Sequence, residues 1–452
     1  WDDFRVPFVF ATNGNPFHRQ LIDQSGIWFR DVRISTNHPK ALTGWYTPEG
    51  LVDLWKQNVS EADQKLLTEA RDYLPLRYYQ REAIEAVEKA VVAGQREMLL
   101  AMATGTGKTR TAICLLYRLI KAGRFNRVLF VVDRRSLGEQ ALDAFKDVKL
   151  ENFQSFPEIY DVKELGDLRP DRDTRLHICT IQAMVARVID QDGDDVPFPV
   201  DQYDCIIIDE CHRGYILDKE MSDQELSYRD QTEYVSKYRR VLDHFDAVRI
   251  GLTATPALHT TEIFGHPVYQ YSYRQAVIDH NLVDHEPPFI IRTQLSEGGM
   301  HWDIGDEVKH FDTFTKNVST DTTPDEIDVE IEGFNSVAIT ENFNRVVCQV
   351  LAKQIDPSLP GKTLIFCVRD THADTVVRLL TEALEAEYGA IHNDTVKKIT
   401  GEVDRTSEAI RRFKNEQLPQ FVVTVDLLTT GIDVPAITNI VFLRRTKSRI
   451  LF

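Results

Sequence analysis

The sequence predicts an α/β protein of two domains, each built around a parallel sheet. Three observations carry this. Apolar runs that are continuous rather than alternating recur between segments of helical periodicity, as strands buried on both faces require. A Gly-rich loop follows one of these runs, and a pair of acids closes a later one. The alternation breaks over residues 285–335 and then resumes as a second block.

The chain opens on "RVPFVFATNG", which predicts a strand already in progress, and Trp1 is no initiator Met, so the chain is expected to be a piece of something longer. "MLLAMA" (98–103) predicts a strand ending at "TGTGKT". Ile113, Leu116, Tyr117 and Ile120 then fall on one face of a helix. "RVLFVVD" (127–133), "LHICTI" (176–181), "YDCIIIDE" (203–210) and "VRIGLTA" (248–254) continue the strand series. Ser136 and Glu139 have the spacing of a capping box for the helix after the second strand. Residues 285–335 are polar and acidic, with Pro287–Pro288 and Gly298–Gly299, and predict a linker or a small insertion. The second block has a helix near 339–354, the strand "KTLIFCVR" (362–369) and a helix carrying Val376, Val377, Leu380 and Leu384 on one face. The strands "QFVVTVD" (420–426) and "NIVFLR" (439–444) complete it.

With 452 residues and 42% hydrophobic side chains, the chain can bury more than one core. A formal net charge of −17 argues mildly against a nucleic-acid partner, but binding depends on local patches rather than the total. The six cysteines form no CxxC pair and sit in apolar contexts, which fits a reducing, cytoplasmic setting and no disulfide framework. No apolar run approaches the roughly 18 residues of a membrane span, so no membrane role is expected.

"ATGTGKT" (103–109) lies between a predicted strand and a predicted helix, the context a phosphate-binding loop needs. Thr104, Gly105, Thr106 and Gly107 would let backbone N–H groups approach a phosphate at the positive end of the helix. Lys108 would reach the β and γ phosphates of ATP, and the Thr109 hydroxyl would hold Mg²⁺. Met102 stands where the usual pattern has Gly or Ala. A second "GKT" at 361–363 precedes a strand without a Gly-rich lead-in and predicts only an exposed strand start.

"IIIDECHRG" (206–214) sets Asp209, Glu210, Cys211 and His212 in a row. Zinc would need three or four ligands on one ion, and consecutive residues at a strand end point to different sides. The same objection meets a Cys211–His212 nucleophile pair. A solvated acidic strand end is the plainest alternative. Beside the phosphate loop about 100 residues upstream, Asp209 instead fits the Mg²⁺ shell and Glu210 a general base toward water at the γ phosphate.

These stretches, in order, resemble the motifs of a superfamily 2 helicase core, which implies two RecA-like domains. "LRYYQREA" resembles the Q-motif, where Gln80 would read adenine with help from Arg77. "ATGTGKT", "VVDRRSLGEQ", "TIQ", "DECH", "GLTATP", "TLIFCVRD" and "VDLLTTGIDVP" resemble motifs I, Ia, Ib, II, III, IV and V, spread over roughly residues 76–445. The resemblance implies that His212, Thr253 and Thr255 couple nucleotide state to the cleft. It also implies that Arg134, Thr180 and Thr430 touch nucleic-acid backbone, and that Gly431 and Asp433 face the nucleotide from the second lobe.

"DECHRG", "DHFDAVRIGLTATP", "YQYSYRQAVIDHNLVD", "VPFVFATNG" and "VFLRRTKSRILF" narrow the likeness to the R subunit of type I restriction enzymes. In that family the subunit moves double-stranded DNA with ATP, against modification (M) and specificity (S) subunits, and cuts it. The implied organisation is the end of an α/β nuclease-like domain (1–50), a connecting helix (51–75), motor domain 1 (76–284), an acidic linker or insertion (285–335) and motor domain 2 (336–452). The family's nuclease Glu-x-Lys is not found in residues 1–60 and its Q-x-x-G-R-x-x-R arginine-finger motif is not reached by Phe452. No nuclease residue is therefore assigned, the second lobe is expected to be truncated, and Arg444, Arg445 and Arg449 lie too early to replace the finger. Two other readings remain: a different superfamily 2 motor, of repair or type III restriction type, and a nucleotide- and DNA-binding module without efficient turnover.

Overall fold

The computed structural model describes residues 6–34, 37–133, 135–164, 170–189, 198–211, 238–256, 258–291, 300–302, 307–311, 318–322, 327–329, 341–400, 406–425 and 434–444. The chain forms two compact units, residues 1–284 and 285–452.

The first unit opens with a three-stranded antiparallel sheet of β1 (Phe8–Thr12), β2 (Ile27–Asp31) and β3 (Lys40–Leu42). Helices α1 (Pro48–Lys56), α2 (Val59–Thr68) and α3 (Tyr78–Val92) follow. Then comes a seven-stranded parallel sheet of β4 (Glu97–Met102), β5 (Val128–Val132), β6 (Val162–Lys163), β7 (Leu176–Thr180), β8 (Cys205–Ile208), β9 (Val248–Thr253) and β10 (Pro267–Tyr271). Their order across the sheet is β10-β4-β9-β8-β5-β7-β6. Both faces of the central strands are covered. Met98, Leu100, Phe130, Ile207 and Ile250 point into one core, with the helix α4 (Lys108–Lys121) among its walls. Leu99, Leu129, Val131, Ile206 and Ile208 point into the other, against Tyr238, Leu242 and Phe264. Period-2 side chains that meet apolar neighbours on both sides are why these strands look like unbroken apolar runs. Helix α5 (Arg135–Asp147) begins one residue before Ser136, so Ser136 lies inside the helix and not at its cap.

The small sheet is fastened to the large one by charge. Asp246, just before β9, takes a hydrogen bond from Tyr46 (2.5 Å), an ion pair from Arg96 (2.6 Å) and another from Lys40, while its side chain is only 2% exposed. Burial pushes the Asp246 carboxyl up, but Lys40 and Arg96 outweigh this and hold it well below the usual carboxylate range. Burial brings the Lys40 ammonium down to about 8 against the pull of Asp246. Next along, Asp201 accepts from the Thr47 N–H (2.9 Å) and its hydroxyl at the start of α1. A methyl on Gly50 would stand 1.8 Å from Asp201 Oδ2, so the first turn of α1 reaches this carboxylate only without a side chain there.

In the second unit, β11 (Met300–Trp302) pairs antiparallel with β14 (Ile327–Val329), and β12 (Glu307–Phe311) with β13 (Val318–Thr322). Within the stretch expected as a linker or a small insertion, "EVKHF" and "VSTDT" pair through backbone hydrogen bonds that its polar composition does not announce. A parallel sheet follows, β15 (Lys362–Phe366), β16 (Val396–Lys398), β17 (Phe421–Thr424) and β18 (Ile437–Phe442), in the order β16-β17-β15-β18. The helices over 341–354 and 370–388 pack Val347, Cys348 and Leu351 with Val376, Leu379, Leu380 and Leu384 against it. Lys362 is buried rather than exposed. Its Nζ donates to the carbonyls of Glu416 and Pro419 (both 2.8 Å), which end the segment leading into β17. All six cysteines are buried and free.

Asp246→Asn should leave the Lys40 and Arg96 charges uncompensated and cost about 3 kcal/mol in urea unfolding; a loss below about 1 kcal/mol would show that the cluster does not fasten the sheets. His372, fully buried, accepts from the Val368 N–H (3.3 Å) and meets Asn344 Oδ1 (3.0 Å); burial, aided by Arg369, brings its imidazole down to about 4. Its depressed folded value means stability is complete above about pH 6.5 and is lost as pH falls toward 4, by up to about 3 kcal/mol. His372→Gln should flatten the urea midpoint of the second unit between those pH values; unchanged slopes would refute the assignment.

Candidate functional site

The Gly-rich loop over 103–107 leaves the carboxyl end of β4 and enters α4. Gly105 (φ 82°) and Gly107 (φ 80°) both adopt the left-handed region, which the turn requires and which other residues resist. Gly107 is the N-cap of α4, so the amides of the first helical turn have no partner within the helix and face the loop mouth. A Cβ at Gly107 would lie 2.5 Å from the Gln80 Nε2. Thr104 and Gly105 are exposed, whereas Thr106 is buried and its hydroxyl donates to the Ala103 carbonyl (2.6 Å). Gln80 is buried beneath the loop: Nε2 donates to the Thr106 carbonyl (2.9 Å), and Oε1 accepts from the Arg77 N–H (3.0 Å). The exposed Arg77 donates to Asn281 Oδ1 (3.1 Å).

The acids leave the same edge of the sheet at the end of β8. The Asp209 N–H donates to the Val131 carbonyl and the Cys211 N–H to the Leu252 carbonyl (both 2.9 Å), which carries the chain across the strand ends. Glu210 sits between them with φ 48°, a left-handed conformation unusual for a side chain of its kind. Its N–H donates to Asp209 Oδ1 (2.9 Å) and its Oε1 lies 3.3 Å from Lys108 Nζ, both side chains being buried. Burial pushes the Asp209 carboxyl up to about 6, and the Glu210 charge adds to it; Lys108 and a hydrogen bond from the Thr109 hydroxyl pull the other way. The structure therefore brings together Lys108, Thr109, Asp209 and Glu210.

Cys211 faces away from this group into the core. Its Sγ would be 2.9 Å from a methyl on Gly251, which would also press on the Phe264 ring at 3.1 Å. The "GLTATP" glycine thus makes room for the cysteine of "DECH", a contact no sequence spacing discloses. Thr253 and Thr255 form a tight turn: the Thr253 hydroxyl accepts from the Thr255 N–H and donates to its carbonyl (both 3.1 Å). Thr180 caps the helix over 181–188, its hydroxyl accepting from the Ala183 N–H (3.3 Å). His212, Arg134, Thr430, Gly431 and Asp433 lie outside the described residues. Arg444 is described, with its guanidinium over the Phe366 ring at 5.6 Å. Tyr79 escaped sequence reasoning because an aromatic before a glutamine is also what an ordinary buried helix face supplies, and Tyr271 because it ends an edge strand of mixed composition.

Three family models match in succession: the type I restriction enzyme EcoKI endonuclease subunit second domain over residues 1–55, the type III restriction enzyme res subunit over 73–258, and the helicase conserved C-terminal domain over 344–450. The EcoKI endonuclease subunit of Escherichia coli K12 is 50% identical over 99% of the chain. Over nearly its whole length the chain is similar to type I restriction endonuclease subunits. The EcoAI endonuclease subunit of Escherichia coli is 30% identical over the same share. The chain spans 38% and 52% of the lengths of these two relatives. Among solved structures, a fragment described as an HsdR subunit from Vibrio vulnificus YJ016 aligns with a TM-score of 0.51 at 23% identity, covering 99% of this chain and 70% of that one. The DNA-bound Type ISP enzyme LlaBIII aligns with a TM-score of 0.53 at 18% identity, covering 83% and 26%. Both likenesses show a shared α/β fold. Among the described residues, no helix is long and apolar enough to cross a membrane.

Gly251→Ala should force Cys211 and Phe264 apart and cost about 1–3 kcal/mol. Cys211→Ala in the same chain should recover part of that loss in thermal unfolding; strictly additive losses would show that the two positions do not oppose each other.

Proposed function

We propose that this chain is the ATP-driven motor portion of a type I restriction R subunit. It would move double-stranded DNA against the modification and specificity subunits, and the whole protein would couple that movement to cleavage. The observation that carries this is the meeting of Lys108, Thr109, Asp209 and Glu210 at the carboxyl edge of one parallel sheet, where α/β sheets bind their ligands.

The hydroxyl of Thr109 and the carboxylate of Asp209 are hard oxygen donors already within hydrogen-bond reach of each other, a donor set that fits Mg²⁺ completed by phosphate and water. When bound with ATP, Mg²⁺ would neutralise charge on the β and γ phosphates. Lys108 adds its own positive charge at the loop mouth. Glu210 would accept the proton of the attacking water. The Gly105 and Gly107 turns would direct backbone N–H groups toward phosphate, and the exposed Arg77 would flank the adenine side, while the Gln80 amide is taken up in bracing the loop from beneath. His212, Thr253 and Thr255 would transmit the state of the nucleotide to the cleft. Arg134, Thr180 and Thr430 would bear on DNA phosphates, and Gly431 and Asp433 on the nucleotide from the second unit.

The test uses the intact R subunit with its partner subunits. Lys108→Ala should reduce DNA-stimulated ATP hydrolysis and triplex displacement to near background, a fall of about a hundred- to a thousandfold on removing a charge of this kind. Undiminished hydrolysis would reject the reading, and separation of the two DNA strands during movement would point to a different superfamily 2 motor.

A further inference from the structure

The Thr106 carbonyl at the tip of the phosphate loop receives two donors from beneath, the Tyr79 hydroxyl (3.0 Å) and the Gln80 amide (2.9 Å). A planar trans peptide points its N–H opposite to its C=O. With the Thr106 oxygen held inward, the amide N–H of the same peptide, that of Gly107, faces outward toward the loop mouth. The hold has something to resist. Gly107 has the conformational freedom that lets this peptide flip, and a flipped peptide would aim a carbonyl at the phosphate instead of a donor.

Tyr79 is itself braced. It is buried, and its ring stacks on Tyr271 with centroids 4.2 Å apart and planes 9° from parallel. Tyr271 ends β10, the strand beside β4, and its carbonyl accepts from the Ala103 N–H (2.9 Å) at the other end of the same loop. The Tyr271 hydroxyl donates to Asp279 and accepts from Asn281 (both 2.9 Å). The stack therefore links the two ends of the loop through rigid rings with few torsions to freeze.

We propose that Tyr79 is a positioning residue for the nucleotide phosphates: its hydroxyl, steadied by the Tyr271 ring, keeps the Gly107 N–H turned toward the anion. This rests on the loop being the nucleotide site, as argued above. Tyr79→Phe in the intact subunit keeps the ring and the stack and removes only the hydroxyl. It should raise KM for ATP about five- to tenfold, the range expected for losing one hydrogen bond while Gln80 keeps the other. It should leave kcat within about twofold and the unfolding midpoint within about 2 °C, since Phe fills the same space. Competition against a fluorescent ATP analogue should weaken alike for ATP and for inorganic pyrophosphate, and not for adenosine, which lacks the phosphates. An unchanged KM, or equal weakening for adenosine, would overturn the proposal. Lys108→Ala in the same assays separates the two failures. If that variant is inactive while Tyr79→Phe behaves as wild type, only the role of Tyr79 falls; if it is fully active, the site itself has been misread.

Discussion

Everything at the candidate site depends on all strands of one sheet running the same way. Parallel strands deliver their outgoing loops to a single edge, so the loop after β4 and the acids after β8 meet although they are about 100 residues apart in sequence. Strand β9 lies between them and supplies the Leu252 carbonyl that holds the Cys211 amide. The 3.3 Å approach of Lys108 to Glu210 is a product of this topology and not of local sequence.

A buried lysine and glutamate cost free energy unless they satisfy each other, and the sheet below must supply it. It does so through two apolar cores, and a further buried ion pair fixes the direction of α4. Arg118, near the far end of α4, donates to Glu88 on α3 (2.6 Å) and to the carbonyls of Ala70 (2.8 Å) and Glu69 (3.2 Å) beyond α2. The helix that follows the Gly-rich loop is thus anchored at its other end to α3 and to the chain beyond α2. Its first turn can then hold a fixed direction while the loop ahead of it turns through two left-handed glycines.

The sequence discloses the strands buried on both faces because each is a continuous apolar run, and it discloses the loop because Gly105, Gly107, Lys108 and Thr109 have chemistry at fixed spacing. It conceals what depends on meetings between distant residues. The edge strand β10 carries a mixed, aromatic sequence with no clear period, and only pairing with β4 makes it a strand. The pairs β11–β14 and β12–β13 rest on backbone hydrogen bonds in a polar stretch. Lys362 is concealed for the opposite reason: a lysine beside a glycine suggests solvent, whereas three carbonyls at the end of the 406–419 segment surround its ammonium. The Asp246 cluster draws on residues 40, 46, 96 and 246, a spread that no local pattern spans.

Cys211, chemically silent beside the two acids, is joined to Gly251 by volume. The pair ties two stretches of text that the eye separates, "DECH" and "GLTATP", into one inheritance. Any growth at position 251 would press on the Cys211 sulfur and on the Phe264 ring together, and the two acids just before Cys211 would ride on the backbone shift it imposed.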